Sequence, residues 1–305
     1  MSDETSGASD AFDVADADHG LTAAATGTGP DGGGGSGVAH DAVGDTGVDA
    51  PVYDPPAEVA DRIRSLAVPT LLVFDCDGVL APLVDHADDS VLSDGVRDAL
   101  VELSRDDRRG TLQPAILSGR SLEGLAQFDF PAGVVVIGSY GNERRGSDDV
   151  TLNPDEVERL ERIDVAVIDA LETAGDGAWI ERKPASVVLH VREADDRSGV
   201  AALEQLADAA DSVPGAVVHH GADVVELMAR ASDKGTAIER LRSVERPAAV
   251  VYLGDDIPDE DAFAVLGEGD LSVKVGPGET VALLRLDGPD AVVELLSELA
   301  QNSEV

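Results

Sequence analysis

Lysine is nearly missing from this 305-residue chain, which has three against nineteen arginines, and acidic residues outnumber basic ones 61 to 22. The resulting formal charge of −39 argues against a nucleic-acid or anionic-membrane partner, whose phosphates would be repelled. Cysteine is down to one residue, Cys76, so neither an intrachain disulfide nor a cysteine zinc site can form. No apolar run approaches membrane-spanning length, and the N-terminus lacks a charged-then-apolar signal pattern, so a cytoplasmic location is expected. Aromatics make up only 3% of the chain. Molar salt shortens the Debye length to about 3 Å, and a surface this acidic is tolerated there. The composition therefore points to a halophilic cytoplasm, with an ordinary acidic cytosolic protein as the alternative. Where Lys is this scarce, each one present (Lys183, Lys234 and Lys274) is expected to do something that Arg cannot.

Residues 1–50 have no Lys or Arg and carry the glycine run Gly32 to Gly35; they are expected to be a disordered acidic tail. A short helix is expected from Pro56 to Leu66. Beyond Pro69 strands and helices alternate: strand Thr70–Asp75, helix Ser93–Leu103 with a serine cap, strand Pro114–Leu117, helix Leu122–Phe128 and strand Gly133–Ile137. Such alternation implies parallel strands joined by crossover helices. The pattern then changes to a long helix Pro154–Thr173, strand-like alternation over Ala178–Glu193, a helix Ser198–Ser212 and a hairpin of Ala216–His219 with Val224–Met228. From Lys234 the first pattern resumes, with a helix to Arg242, strand Ala248–Leu253, helix Glu260–Leu266, strand Leu271–Val275 and helix Asp290–Ala300. The expected organisation is an α/β core split between 68–141 and 229–300, with 142–228 inserted as a smaller α/β domain.

The chemistry collects where strands end. Asp75 and Asp77 close an apolar run, and Gly78 marks a sharp turn. Two carboxylates facing one site are costly unless a cation or phosphoryl group lies between them. The run Tyr252-Leu-Gly-Asp-Asp-Ile-Pro-Asp-Glu-Asp261 repeats the device. Ser118-Gly-Arg120 follows a strand as well, and Lys234 opens a helix, where backbone N–H and ammonium can both meet an anion. In an open α/β sheet all of these converge on the carboxyl edge. Metal-dependent phosphoryl chemistry is the reading, and Cys76, between the aspartates, should point into the core.

These four motifs, in this order, resemble those of the haloacid dehalogenase superfamily over roughly residues 68 to 300. The resemblance implies a Rossmann-like core with a parallel sheet and an inserted α/β cap. It also implies that Asp75 is the nucleophile and that Asp77 protonates the leaving oxygen and then activates water. Mg²⁺ would be held by Asp75, the Asp77 carbonyl and Asp255, supported by Asp256 or Asp259. Ser118 and Lys234 would bind phosphoryl oxygens, with Gly119 and Arg120 beside them at the substrate.

A closer resemblance is to trehalose-6-phosphate phosphatases. It rests on Gly138-Ser-Tyr-Gly-Asn-Glu143, Glu181-Arg-Lys183, His190-Val-Arg192, Glu226, Gly254-Asp-Asp-Ile-Pro-Asp-Glu-Asp-Ala-Phe263 and Val273-Lys-Val-Gly276. It implies that Glu181, Lys183, His190, Arg192 and Glu226 of the inserted section read the sugar of a small sugar-phosphate substrate. A trehalose-6-phosphate synthase would be the partner. The chain departs from the family pattern at Val79, Tyr140, Gly221-Ala-Asp223 and Pro258. Two alternatives stay open: a phosphatase of another sugar or glycosyl phosphate, of the sucrose 6-phosphate or glucosylglycerate type, and a non-catalytic sugar-phosphate-binding regulator.

Overall fold

The computed structural model describes residues 51–84, 86–105, 111–147, 151–221 and 223–301; the tail expected over 1–50 lies outside the described residues. A first run comprises helix α1 (Pro56–Arg64), strand β1 (Thr70–Phe74), helix α2 (Val96–Leu103), strand β2 (Leu112–Leu117), helix α3 (Leu122–Leu125) and strands β3 (Val135–Gly138) and β4 (Glu143–Arg144). The middle section holds α4 (Pro154–Ala174), β5 (Trp179–Lys183), β6 (Ser186–His190), α5 (Asp196–Ala210), β7 (Val217–Gly221) and β8 (Val224–Met228). The last run is α6 (Lys234–Glu245), β9 (Ala249–Gly254), α7 (Ile257–Ala264), β10 (Leu271–Val275), β11 (Leu284–Leu286) and α8 (Pro289–Gln301).

Strands of the first and last runs share one sheet, in the order β11-β10-β9-β1-β2-β3-β4. Every pair is parallel except β3 with β4. A sheet covered on both faces favours unbroken apolar strands, and β1 is one, with all five residues buried. Its side chains alternate. Leu72, Phe74 and Cys76 join Val59 of α1, Leu100 of α2 and Leu296 of α8, whereas Leu71 and Val73 pack with Ile238 and Leu241 of α6 and Phe263 of α7. Burying a Leu, Val or Phe side chain contributes about 1.5–3 kcal/mol, so β1 is held firmly from both faces of the sheet. By the same alternation Asp75 faces the α6 side, and Cys76 lies in the opposite core as expected.

The middle section builds its own antiparallel sheet, in the order β5-β6-β8-β7. Val187, Leu189, Val225 and Leu227 turn one face onto Ile163 and Val167 of α4 and Ala202 and Leu206 of α5. The other face carries Lys183 beside Ser186, Glu181 beside Val188 with Glu226 on the strand beyond, and Trp179 beside His190. Helix α4 starts where Asn153 and Glu156 cap each other, at 3.0 and 2.9 Å.

Several expected boundaries move. Helix α2 begins at Val96 with no serine cap: Gly95, at φ 87°, turns the chain into the helix, and Ser93 meets it only through its carbonyl, which accepts the Val96 amide at 3.1 Å. Helix α7 begins at Ile257, three residues before the expected Glu260. Pro258 fits its first turn, where an N–H has no partner anyway. The alternation over Ala178–Glu193 divides into the β5–β6 hairpin, turning at Pro184 and Ala185.

Candidate active site

Asp75 follows the last residue of β1 and is 7% exposed. Its Oδ1 accepts the Cys76 amide at 2.7 Å, and its Oδ2 lies 2.8 Å from the Lys234 ammonium. Lys234 comes from far along the chain because α6 begins with it, capped by the Asp233 carboxylate on the Thr236 amide at 2.7 Å. Its Nζ also donates to Asp259 Oδ1 at 2.6 Å. Burial works against the Lys234 charge, but Asp75 and Asp259 outweigh it and push its pKa above the ordinary lysine value. Burial raises the Asp75 carboxyl to about 8, with Lys234 opposing and Asp259 and Asp255 reinforcing.

Asp259 organises the other carboxylates. It has no solvent exposure, and Oδ1 also accepts from Tyr252 at 2.6 Å. Oδ2 accepts the amides of Asp255 at 2.9 Å and Asp256 at 3.0 Å. These four donors fix the turn after β9, which directs the Asp255 carboxylate at Asp75. Lys274 of β10 donates to the Asp255 main-chain carbonyl and steadies the same turn. Burial, then Asp259, raises the Asp255 carboxyl to about 7.

Asp77 stands differently. Arg120 grips it with two bonds, Nε to Oδ2 at 2.6 Å and an Nη to Oδ1 at 2.7 Å, and Ser90 adds a third at 3.2 Å. The guanidinium is itself fixed by the Ala87 carbonyl at 3.0 Å and lies over the Phe128 ring, 5.4 Å from its centroid. Between the two aspartates and their turn, Gly78 adopts φ 75°, and a Cβ there would lie 2.0 Å from Asp255 Oδ2. Only glycine lets the two motifs approach so closely. Ser118, 2% exposed, follows β2, and its Oγ accepts the Arg120 amide at 3.1 Å. At Gly119 a Cβ would meet the Tyr140 hydroxyl at 2.6 Å. Tyr140, in the left-handed region at φ 53°, is tied there through its carbonyl to Ser232 and through its amide to the Ser118 carbonyl at 3.0 Å.

The polar face of the middle sheet meets this edge. Lys183 Nζ donates to the Gly119 carbonyl at 3.1 Å and to Glu226 at 3.2 Å, 5.9 Å from the Tyr140 ring centre. Glu226, 5% exposed, also accepts from Ser186 at 2.5 Å. Glu181 lies 3.2 Å from His190 Nε2; burial opposes its charge, but the histidine bond and Lys183 leave its carboxyl below the usual range.

Asp75, Asp255 and Asp259 have oxygens within 4.8 Å of one another. A set of hard oxygen donors suits a small divalent cation such as Mg²⁺, and the carboxyls of Asp75 and Asp255 are raised by burial first and by their carboxylate neighbours second. Asp259 is the poorest ligand of the three, since both its oxygens already accept two hydrogen bonds each. Asp75 and Asp255 are the better candidates.

Of the residues expected at the site, Asp75, Asp77, Ser118, Gly119, Lys234, Asp255, Lys183, Glu181, Glu226 and His190 are brought to this cleft or its wall. Arg120 arrives too, but on Asp77. Asp256 is exposed and outside the carboxylate cluster, which Asp259 completes instead. Arg192 is half exposed and paired with Asp223 at 3.4 Å. Sequence reasoning gave no part to Ser186, which lies in no motif, or to Tyr252, which only opens the carboxylate run. Lys274 was detectable through lysine scarcity, and all three lysine side chains are buried.

A family profile described as Trehalose-phosphatase matches residues 73–282. The chain is 35% identical over 227 residues to a trehalose-6-phosphate phosphatase of Escherichia coli (strain K12), covering 71% of this chain and 82% of that protein. It is 31% identical over 275 residues to a trehalose-phosphate phosphatase of Mycobacterium tuberculosis (strain ATCC 25618 / H37Rv), covering 80% of this chain and 66% of that one. Among solved structures, the trehalose-6-phosphate phosphatase C-terminal domain of C. albicans superposes with a TM-score of 0.66 at 25% identity, covering 83% of this chain and 98% of that chain.

Proposed function

The chain belongs to the trehalose-phosphatase family, and we infer from that premise that it hydrolyses trehalose 6-phosphate to trehalose and inorganic phosphate. The observation that carries this reading is the family match over residues 73–282, which encloses Asp75, Ser118, Lys234 and Asp255. Asp75 is the nucleophile: its carboxylate oxygen bonds to phosphorus while the bond from phosphorus to the sugar oxygen breaks. Asp77 gives a proton to that leaving oxygen. It then takes one from the water that displaces Asp75 and releases phosphate. Ser118 and Lys234 bind the phosphoryl oxygens, and Lys234 remains charged beside the nucleophile throughout. Asp75 and Asp255 would hold Mg²⁺, which when bound offsets charge on the phosphoryl group.

The section 142–228 acts as a cap whose polar face reads the sugar through Lys183, Glu181 and Glu226. Residues 68–141 and 229–300 act as the core. With a charge of −39, the protein works in a halophilic cytoplasm and receives its substrate from a trehalose-6-phosphate synthase. Among the described residues no helix is long and apolar enough to cross a membrane.

Phosphate release from a panel of trehalose 6-phosphate, sucrose 6-phosphate and glucose 6-phosphate, measured in molar salt, tests the reading. Trehalose 6-phosphate should have the highest kcat/KM, and parity with glucose 6-phosphate would refute it. Asp75→Asn should abolish turnover on every substrate, because a carboxamide is a poor nucleophile, while the chain still folds, because Asp259 still pairs with Lys234. A non-catalytic regulator would release no phosphate even before that substitution.

A further inference from the structure

Trp179 is the one tryptophan in the chain, and it stands 52% exposed. It lies on the polar face of the middle sheet, at the start of β5, and the same face carries Glu181 and Lys183 at the next alternate positions. At about 3.3 Å per residue the row Trp179, Glu181, Lys183 runs about 13 Å, comparable with two linked pyranose rings. Its Lys183 end touches the Gly119 carbonyl, beside Ser118. At the Trp179 end the indole stacks on His190, with ring centres 3.8 Å apart and planes parallel, and His190 in turn bonds Glu181. The core still faces the middle section near this end, where His86 comes within 4.0 Å of Glu193.

A half-open indole fixed by a neighbouring ring is a flat apolar surface already held in place. A pyranose has an apolar C–H face and a rim of hydroxyls, so it needs such a surface with donors and acceptors at its edge. Glu181 supplies that edge, while His190 backs the covered face of the indole and bonds Glu181. We propose that Trp179 is the stacking platform for the second, phosphate-free ring of the disaccharide, and so distinguishes a disaccharide phosphate from a monosaccharide phosphate. The proposal rests on the trehalose 6-phosphate reading above and adds a residue to it.

Fluorescence excited at the red edge of indole absorption, where tyrosine does not absorb, reports Trp179 alone. Titrating the full chain in molar salt with trehalose should give a saturable emission change, and inorganic phosphate alone should give none. Emission that stays constant at trehalose concentrations that inhibit phosphate release overturns the proposal, as does an equal response to phosphate alone. In kinetics, Trp179→Ala should raise KM for trehalose 6-phosphate about tenfold with kcat within about twofold, and leave glucose 6-phosphate unchanged. Trp179→Phe should recover most of the loss. A Trp179→Ala chain that keeps its thermal midpoint and matches the unaltered chain on both substrates overturns the platform. Failure of the underlying reading looks different: the unaltered chain would show no preference for trehalose 6-phosphate in the first place.

Discussion

Arg120 holds both oxygens of Asp77, and its guanidinium is itself fixed by the Ala87 carbonyl. A bidentate pair of this kind sets the carboxyl group in one orientation, from which it must reach both the sugar's leaving oxygen and the water. Arg120 is therefore a positioning residue for Asp77, whereas the sequence alone had placed it on the substrate. Arg120→Ala should lower kcat on trehalose 6-phosphate about 10²-fold. Combined with Asp77→Ala it should cost little beyond Asp77→Ala alone, because both remove the same function. The deficit should also shrink on p-nitrophenyl phosphate, whose leaving group needs no proton. Additive losses, or an equal deficit on both substrates, would contradict the role. Gly78 makes a second case at this scale. Gly78→Ala puts a methyl group where Asp255 Oδ2 lies, at a φ that alanine resists, so activity should fall steeply and the Mg²⁺ concentration needed for half-activity should rise.

Among elements, β5 makes the decisive link, because its last residue, Lys183, joins the middle sheet to the loop after β2. Lys183 and Glu226 are a buried pair, with side chains 6% and 7% exposed, so removing one partner strands a charge at a cost of about 3–5 kcal/mol. Lys183→Met should therefore lower the thermal midpoint and raise KM together. Adding Glu226→Gln should restore much of the stability without restoring KM, which separates sugar recognition from folding in one series. The parallel strands were legible as apolar runs, because a strand buried on both faces must be apolar throughout. Helix starts were less legible, since they depend on contacts made at a distance. Ser93 resembles a cap, but Gly95 takes the cap position, and α7 starts early because Asp259 gathers the amides that precede it.

Across the whole molecule, three distant segments contribute carboxylates and an ammonium to one edge of the sheet, and this was the most legible feature of all. Strand ends followed by Asp, Ser or Asp-Asp are written in the sequence, and parallel topology forces them together. Which carboxylate does what was not legible, because Asp255, Asp256 and Asp259 differ only in where the turn aims them. That aim leaves Asp75 and Asp255 with carboxyls raised to about 8 and about 7, against an ordinary 3.8. Without a cation the folded chain thus keeps, from about pH 4 up to about pH 7–8, protons that the unfolded chain has already released near its ordinary 3.8. These two groups therefore contribute stability at low pH that is lost as pH rises through the folded values. Lys234, held above the ordinary lysine value, stays charged across that window. A divalent cation takes the place of those protons and binds more tightly as fewer must be displaced. It stabilises by mass action wherever it binds the folded chain alone. At constant molar KCl, which screens the rest of the −39 charge, the rise in thermal midpoint caused by Mg²⁺ should be larger at pH 8 than at pH 5. Asp255→Asn should largely remove that difference. Equal Mg²⁺ shifts at both pH values, or a shift that survives Asp255→Asn, would place the cation somewhere other than between Asp75 and Asp255.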